Sequence, residues 1–221
     1  MVIIKSKIFG VNSIGVYLAA NNSWVLYPLN IDQNLLLKLK ENFDLLIPIN
    51  INRSPLLGVY VALNNKGILL PRIVYDEEFK KLKREVGDSV QIEVVNSLDN
   101  ALGNMILCND KGAIISSLLK NHQKVIKDVL DVEVNVFEFG GNHLPGSNGI
   151  TNSHGCCIHP LSTDEDVDVV SDFLKVHVDL STINRGIPYL GSGAIVNDTT
   201  GIFGLLSTGP ELMRLTNVLH L

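Results

Sequence analysis

Five glycines stand 43, 45, 43 and 45 residues apart, at Gly15, Gly58, Gly103, Gly146 and Gly191, and six positions after each comes an asparagine: Asn21, Asn64, Asn109, Asn152 and Asn197. A period of that length, sustained over 221 residues, confines the chain to an array of like supersecondary units that bury their apolar faces against one another. A further glycine follows nine positions after three of the first set, at Gly67, Gly112 and Gly155; the first unit has Trp24 there and the fifth reaches Gly201 with one extra residue. Asn-Asn-Lys-Gly, Asn-Asp-Lys-Gly and Asn-Ser-His-Gly then read as turns. The asparagine side chain closes an Asx turn, and the glycine accepts a positive φ without strain.

The flanks of these turns are β-rich: "GVYVAL" and "GILLP" around the second, "NMILC" and "AIIS" around the third. Each turn therefore joins a hairpin. A helix is expected next, clearest in "YDEEFKKLKREV", where Phe79, Leu82 and Val86 share one face and the rest is charged. Equivalent helices are expected near 32–42, 121–130, 163–174 and 209–219, and the first four are followed by the strand-like runs "FDLLIPI", "SVQIEVV", "VEVNVFEF" and "KVHVDL". The unit is β-β-α-β. The fifth unit has no closing strand, while residues 2–9, "VIIKSKIF", form a strand with no unit of its own. The N-terminus is thus expected to complete the fifth unit and close a five-fold α/β ring with no free edge. This makes one domain over 1–221, with units near 10–51, 53–95, 98–138, 141–181 and 186–221. A WD-type propeller has a similar period but no helix per unit, and Gly191-Ser192-Gly193 lacks the third glycine and following helix of a dinucleotide loop.

Charge narrows the partners. The formal net charge is −5, which does not favour a broad grip on DNA or another phosphate backbone. Acidic residues gather at expected helix starts, in Asp76, Glu77 and Glu78 and in Asp164, Glu165 and Asp166, where the helix dipole favours them. A small molecule or a basic protein suits this charge better. No apolar run approaches the ~20 residues that span a bilayer. Three cysteines, at 108, 156 and 157, make no disulfide framework, and the expected setting is reducing and cytoplasmic.

Taken together, "RSPLLGVYVALNNKGILLP", "ALGNMILCNDKGAIIS", "PGSNGITNSHGCCIHP" and "STINRGIPYLGSGAIVND" resemble the archaeal and eukaryotic translation initiation factor 6 family along the whole chain, in the shorter archaeal form. The resemblance implies a five-bladed α/β propeller of the pentein class that binds the large ribosomal subunit and keeps the small subunit from joining it. It further implies a monomer without catalytic activity, cofactor or metal, with a part in large-subunit maturation. Docking is implied beside the ribosomal proteins uL14 and eL24, near the sarcin-ricin loop of the large rRNA.

Polar residues that break the repeat symmetry are the better candidates for a docking face. Asn104 follows the third glycine where the other units have Val16, Val59, Ser147 and Ser192, and the resemblance points to the same stretch. Asn100, Ser54, Asn184 and Arg185 are further candidates. The rival reading is a guanidino-group hydrolase or amidinotransferase with a cysteine nucleophile, since the pentein class includes such enzymes. Aligning the units sets Cys156 and Cys157 on strand positions held elsewhere by Val25 and Leu26 or Ile68 and Leu69, and Cys108 on the position of Ala20, Leu63 and Val196. These are expected to be packed, inert thiols. His154 falls in a turn and His159 at a strand end, with no further metal ligands in view. A third reading is a pseudosymmetric scaffold for some other basic protein.

Overall fold

In the computed structural model, which describes all residues from Met1 to Leu221, five three-stranded sheets are arranged as a ring. The second unit shows the plan. A one-turn helix, Leu57–Tyr60, leads into an inner strand, Ala62–Leu63, a central strand, Gly67–Pro71, an outer helix, Asp76–Val86, and an outer strand, Gln91–Val95. Inner and central strands pair antiparallel across the turn, and the outer strand pairs parallel with the central one, Gly67 opposite Gln91 and Pro71 opposite Val95. In the fifth unit the outer strand is Val2–Ser6, parallel to Thr200–Gly204 with Val2 opposite Thr200. The N-terminus completes the ring as the strand count requires.

The structure corrects two expectations. The repeat glycines sit on one-turn helices (Ile14–Tyr17, Leu57–Tyr60, Leu102–Met105, Pro145–Asn148 and Leu190–Gly193) and not at strand starts. Asn104 with them is helical, and the inner strands shrink to two or three residues. The helical turn brings each glycine Cα against the preceding unit. A Cβ on Gly58 would lie 1.7 Å from the Gly15 carbonyl oxygen, one on Gly103 2.1 Å from that of Gly58, and one on Gly15 2.0 Å from that of Gly191. The second correction concerns edges. The sheets stay separate, so every outer strand keeps an unpaired edge. Basic side chains from the next unit's outer helix guard three of them: Lys38 Nζ donates to Lys5 O (3.0 Å), Arg214 Nη1 to Leu180 O (2.9 Å), and Lys81 Nζ to Pro48 O. Covering exposed strand edges with lysine or arginine discourages strand addition.

Where the hairpin turns meet, the asparagines form a second closed ring. Each Oδ1 accepts the backbone N–H groups two and three residues on, as in Asn64 with Lys66 (2.9 Å) and Gly67 (3.0 Å). Each Nδ2 reaches the next unit: Asn21 to Asn64 O (3.3 Å), Asn64 to Asn109 O (3.2 Å), Asn109 to Asn152 O (3.2 Å), Asn152 to Asn197 O (3.0 Å) and Asn197 to Asn21 O (3.1 Å). Three of these amides also cap an outer helix, at Leu130 O, Leu174 O and Leu219 O, taking up carbonyls that a helix end leaves unpaired. All five side chains are buried, so every donor and acceptor they offer has to be answered.

The core is shared between neighbours. Leu69 and Val95 of the second unit pack with Ile126, Val129 and Leu130 of the third unit's outer helix, and Trp24, Leu26 and Ile47 of the first with Leu70 and Leu82 of the second. A single unit has no core of its own, which is why the array must close.

Candidate functional site

Strand direction gives the ring two different ends. The asparagine end carries the hairpin turns and the C-termini of the outer helices. The loop end carries the one-turn helices, the N-termini of the outer helices and the loops joining them to the strands. Large apolar side chains left in solvent gather at the loop end, among them Phe9, Leu29, Leu98, Leu118, Leu161 and Tyr189. Leu98 and Leu161 are 76% and 79% exposed, which no fold requirement explains. Exposed apolar groups clustered at one end mark an interaction surface.

Acidic residues rim the same end. Asp76, Glu77 and Glu78 open one outer helix, Asp164, Glu165 and Asp166 another, and Glu211 a third. Each is stabilised there by the exposed N–H groups and the dipole of the helix. The asparagine end is mixed in sign, with ion pairs such as Lys127–Glu133 (2.6 Å) and Lys66–Asp131 (3.4 Å). Exposed Lys7, Arg53, Arg72, Lys120 and Arg185 interrupt this rim, so the end is apolar with an acidic majority, which suits a basic protein surface with its own apolar patches.

Two loops at this end are tied down by the carboxylates of Glu78 and Glu211; the sequence placed Glu78 at a helix start but showed no clamping role for either. Asn52 and Arg53 both adopt positive φ, as do Asn184 and Arg185. Glu78 accepts the N–H groups of Asn52 (2.8 Å), Arg53 (2.9 Å) and Tyr75 (3.1 Å). Glu211 does the same for Arg185 (3.2 Å), Gly186 (2.8 Å) and Thr208 (2.7 Å), and also accepts the Thr182 hydroxyl (2.9 Å). One carboxylate thus caps its helix and clamps the preceding loop. Partial burial pushes the Glu211 carboxyl up, but the hydrogen bonds from Thr208, Gly186 and Thr182 outweigh it and hold the pKa down to about 2.

That depression has a measurable consequence. The folded pKa lies below the unfolded value of ~4.3, so the contribution of Glu211 to stability is complete above about pH 5 and is lost as the pH falls toward 2. Urea midpoints taken from pH 6 down to pH 2.5 should fall less steeply for Glu211→Gln than for the wild type. Equal slopes would mean that the clamp carries no charge-dependent stability.

The five candidate docking residues all fall at the loop end, in different states. The Asn104 side chain is half-buried and makes no hydrogen bond within the chain; it is not a satisfied core amide. Asn100 donates from Nδ2 to Leu98 O (2.9 Å), while its buried Oδ1 has no partner. Ser54 closes the Asn52-Arg53 turn through backbone bonds to Ile51, and its Oγ accepts the Leu56 N–H (3.4 Å). Asn184 is used internally: it is 9% exposed, its Nδ2 donates to Asn12 O (3.0 Å) and its Oδ1 accepts the Ser207 hydroxyl (3.3 Å). Arg185 beside it is exposed and in no ion pair. The exposed leucines were missed because a leucine in a repeat reads as core.

The cysteines stand in surroundings that suppress thiolate. Cys156 and Cys157 are fully buried; burial, and the carboxylate of Asp179, push Cys157 up to about 12. Cys108 lines the ring axis with its Sγ on Leu63 O (3.3 Å), and burial together with Asp110 pushes it to about 12. An activated nucleophile needs the opposite shift. His154 and His159 lie at opposite ends of one hairpin strand, and no three His, Cys, Asp or Glu side chains are grouped to hold a metal ion. No helix is long and apolar enough to cross a membrane.

With this geometry in place, comparison decides the family: residues 3–218 match the model of the eIF-6 family. This chain belongs to the eIF-6 family. The translation initiation factor 6 of Methanococcus vannielii is 37% identical over 224 residues, covering 99% of both chains, and that of Pyrobaculum aerophilum 36% identical over 215 residues, covering 96% of both. The eukaryotic translation initiation factor 6 of Trypanosoma cruzi is 30% identical over 222 residues, covering 99% of this chain and 90% of its own. The eIF-6 match runs from within the N-terminal strand to the last turn of the final helix, so the family is recognised on the whole ring and not on one unit.

Proposed function

We propose that this chain acts in translation initiation as an anti-association factor: it binds the large ribosomal subunit through its loop end and prevents the small subunit from joining. The observation that carries the reading is the concentration of exposed apolar side chains within an acidic rim at that one end. Its natural complement is a basic, partly apolar protein surface, and uL14, with eL24 beside it, is the expected partner; the sarcin-ricin loop lies near the docking place. Maturation of the large subunit in the cytoplasm is part of the same reading, and a monomer suffices.

The mechanism needs no chemistry. Two bodies cannot bury one patch, so occupancy of the joining surface sets the effect. A standard protein–protein interface takes about 800 Å² from each partner, a small share of the 9725 Å² this chain exposes; one end of the ring is large enough. Contact mainly to protein also leaves few phosphates to neutralise. The salt dependence of binding should then be shallow compared with the log–log slope of about −0.9 per phosphate contact of a nucleic-acid grip.

Asn104→Ala tests the face at low risk, because the amide makes no bond inside the chain. The variant should keep its melting temperature and bind large subunits roughly fivefold more weakly, the worth of about 1 kcal/mol for one hydrogen bond. Pelleting with isolated subunits at several salt concentrations reads both quantities. Unchanged binding would move Asn104 off the interface, and failure to pellet with large subunits at all would overturn the proposal.

A further inference from the structure

We propose that the junction of the first and fifth units is a second docking site, a groove that takes an acidic segment of a partner protein carrying apolar side chains. Asn104, Leu98 and Leu161 belong to the third and fourth units, and the inference does not depend on what those residues meet.

An open groove of about 600 Å³ lies between the N-terminal strand and the outer helix of the first unit, Gln33–Asn42, with Lys5, Lys7, Lys38, Phe9 and Leu205 among its walls. Its lining is mostly polar, and its charge runs against the −5 of the chain. Three lysines face one carboxylate, Asp32, which is occupied in capping the helix through the Asn34 N–H (2.8 Å). None of the three lysines is in an ion pair. Lys5 Nζ is steadied on Ser207 O (2.6 Å) and Lys38 Nζ on Lys5 O (3.0 Å); an ammonium has three donors, so each keeps some for a ligand. Lys7 is exposed. The acidic residues that open the outer helices of the second, fourth and fifth units have no counterpart in the first turn of Gln33–Asn42.

Two departures from the repeat create the groove's chemistry. Opposite the fourth residue of each central strand the outer strands hold Pro48, Val94, Val136 and Leu180, and in the fifth sheet Lys5. A position that is apolar in four units thus carries a cation in the one beside the groove. The other departure is Phe9. Three turns at the loop end follow a bridging isoleucine, Ile8, Ile51 or Ile183, and the next residue has positive φ: 49° at Phe9, 53° at Asn52 and 52° at Asn184. Asparagine adopts that conformation readily, whereas a bulky aromatic residue is strained in it. The strained turn holds the Phe9 ring 47% exposed and edge-on to Tyr17 at 5.3 Å, and Leu205 in the same groove is 48% exposed. Strain kept at an exposed aromatic residue, beside uncompensated cations, serves a ligand and not the fold. Carboxylates complement the lysines, and apolar side chains cover Phe9 and Leu205.

The test titrates a short fluorescent peptide of alternating aspartate and leucine into the full chain, with anisotropy and backbone amide shifts as readouts. A lysine-for-aspartate peptide, a serine-for-leucine peptide and a uridine oligonucleotide run in parallel. Saturable binding of the aspartate–leucine peptide is expected, with shifts at residues 5–9 and 205–207 and weaker binding of both altered peptides. Phe9→Asn should melt no lower than the wild type, because asparagine suits the turn, and should bind the peptide on the order of tenfold more weakly. Lys7→Glu should weaken it by a similar factor, the worth of one charge-assisted hydrogen bond, while binding large ribosomal subunits as the wild type does. No saturable binding, shifts elsewhere, or equal binding of the lysine peptide overturns the proposal. Tighter binding of the oligonucleotide overturns it in favour of a nucleic acid, and a mass of the chain alone that rises with concentration, but not in Phe9→Asn, overturns it in favour of a second copy. Loss of large-subunit binding in Lys7→Glu would merge the groove with the loop-end docking face and overturn a separate site. The peptide titrations contain no ribosome, so their outcome stands whether or not the wild type binds large subunits.

Discussion

Gly58→Ala is expected to cost about 3 kcal/mol of stability, although alanine is the better helix former and the residue lies on a helical turn. Propensity alone favours alanine by about 1 kcal/mol. Against it, the new methyl group would sit 1.7 Å from the Gly15 carbonyl oxygen and 2.8 Å from that of Leu18. Both are backbone atoms of the neighbouring unit and cannot rotate away. Relief requires moving one unit off the next, which opens the ring. Gly209→Ala is the matched control: it too lies in the first turn of a helix, with nothing within 4 Å of the added carbon, and should be neutral or slightly stabilising. Urea unfolding of the two variants settles the comparison. A loss under about 1 kcal/mol at Gly58 would show that the glycines reflect chain flexibility and not contact.

The largest effect on function is expected from Leu98→Lys combined with Leu161→Lys. Both leucines stand mostly in solvent, so replacing them removes little burial and should leave the melting temperature within a degree or two. In the complex both would face a basic surface. Each substitution removes a buried apolar anchor, worth about 1.5–3 kcal/mol when fully covered, and sets a positive charge against positive charge. Affinity for large subunits should fall about a hundredfold or more. The corresponding Leu98→Glu and Leu161→Glu pair loses the same apolar area but not the charge match, and should fall less. If lysine and glutamate variants lose affinity equally, charge complementarity is not part of recognition.

The repeat was legible because its markers perform backbone tasks that few residues can. Asn64 and Gly67 close a turn, and asparagine recurs in all five units where aspartate would close the same turn as well. That preference signals the second ring, since only the amide can donate to the neighbour's carbonyl. The one-turn helices were illegible: four residues are too few to show a 3.6-residue pattern, and Val59, Tyr60 and Val61 favour strand by composition. The clamps of Glu78 on Asn52 and Arg53, and of Glu211 on Arg185 and Gly186, join residues about 25 apart that meet only when the outer helix folds back on the loop end. Asn184 shows the same limit from the other side. It breaks the repeat symmetry as a docking residue would, but the asymmetry serves an internal bond to Asn12. Cys156 and Cys157 were readable as packed thiols because the aligned units hold aliphatic residues at their positions, whereas Cys108, expected to be packed on the same grounds, is half-buried and lines the axis.

The most direct test of the proposed role is light scattering during mixing of purified large and small subunits, with the chain added at increasing concentration. Wild type and an asparagine-end variant, Lys66→Ala with Lys111→Ala, should suppress joining equally, and the Leu98→Lys, Leu161→Lys variant should not suppress it at the same concentration. Full suppression by the loop-end variant together with loss in the asparagine-end variant would place the docking face at the wrong end of the ring. No suppression by the wild type would contradict the anti-association function itself.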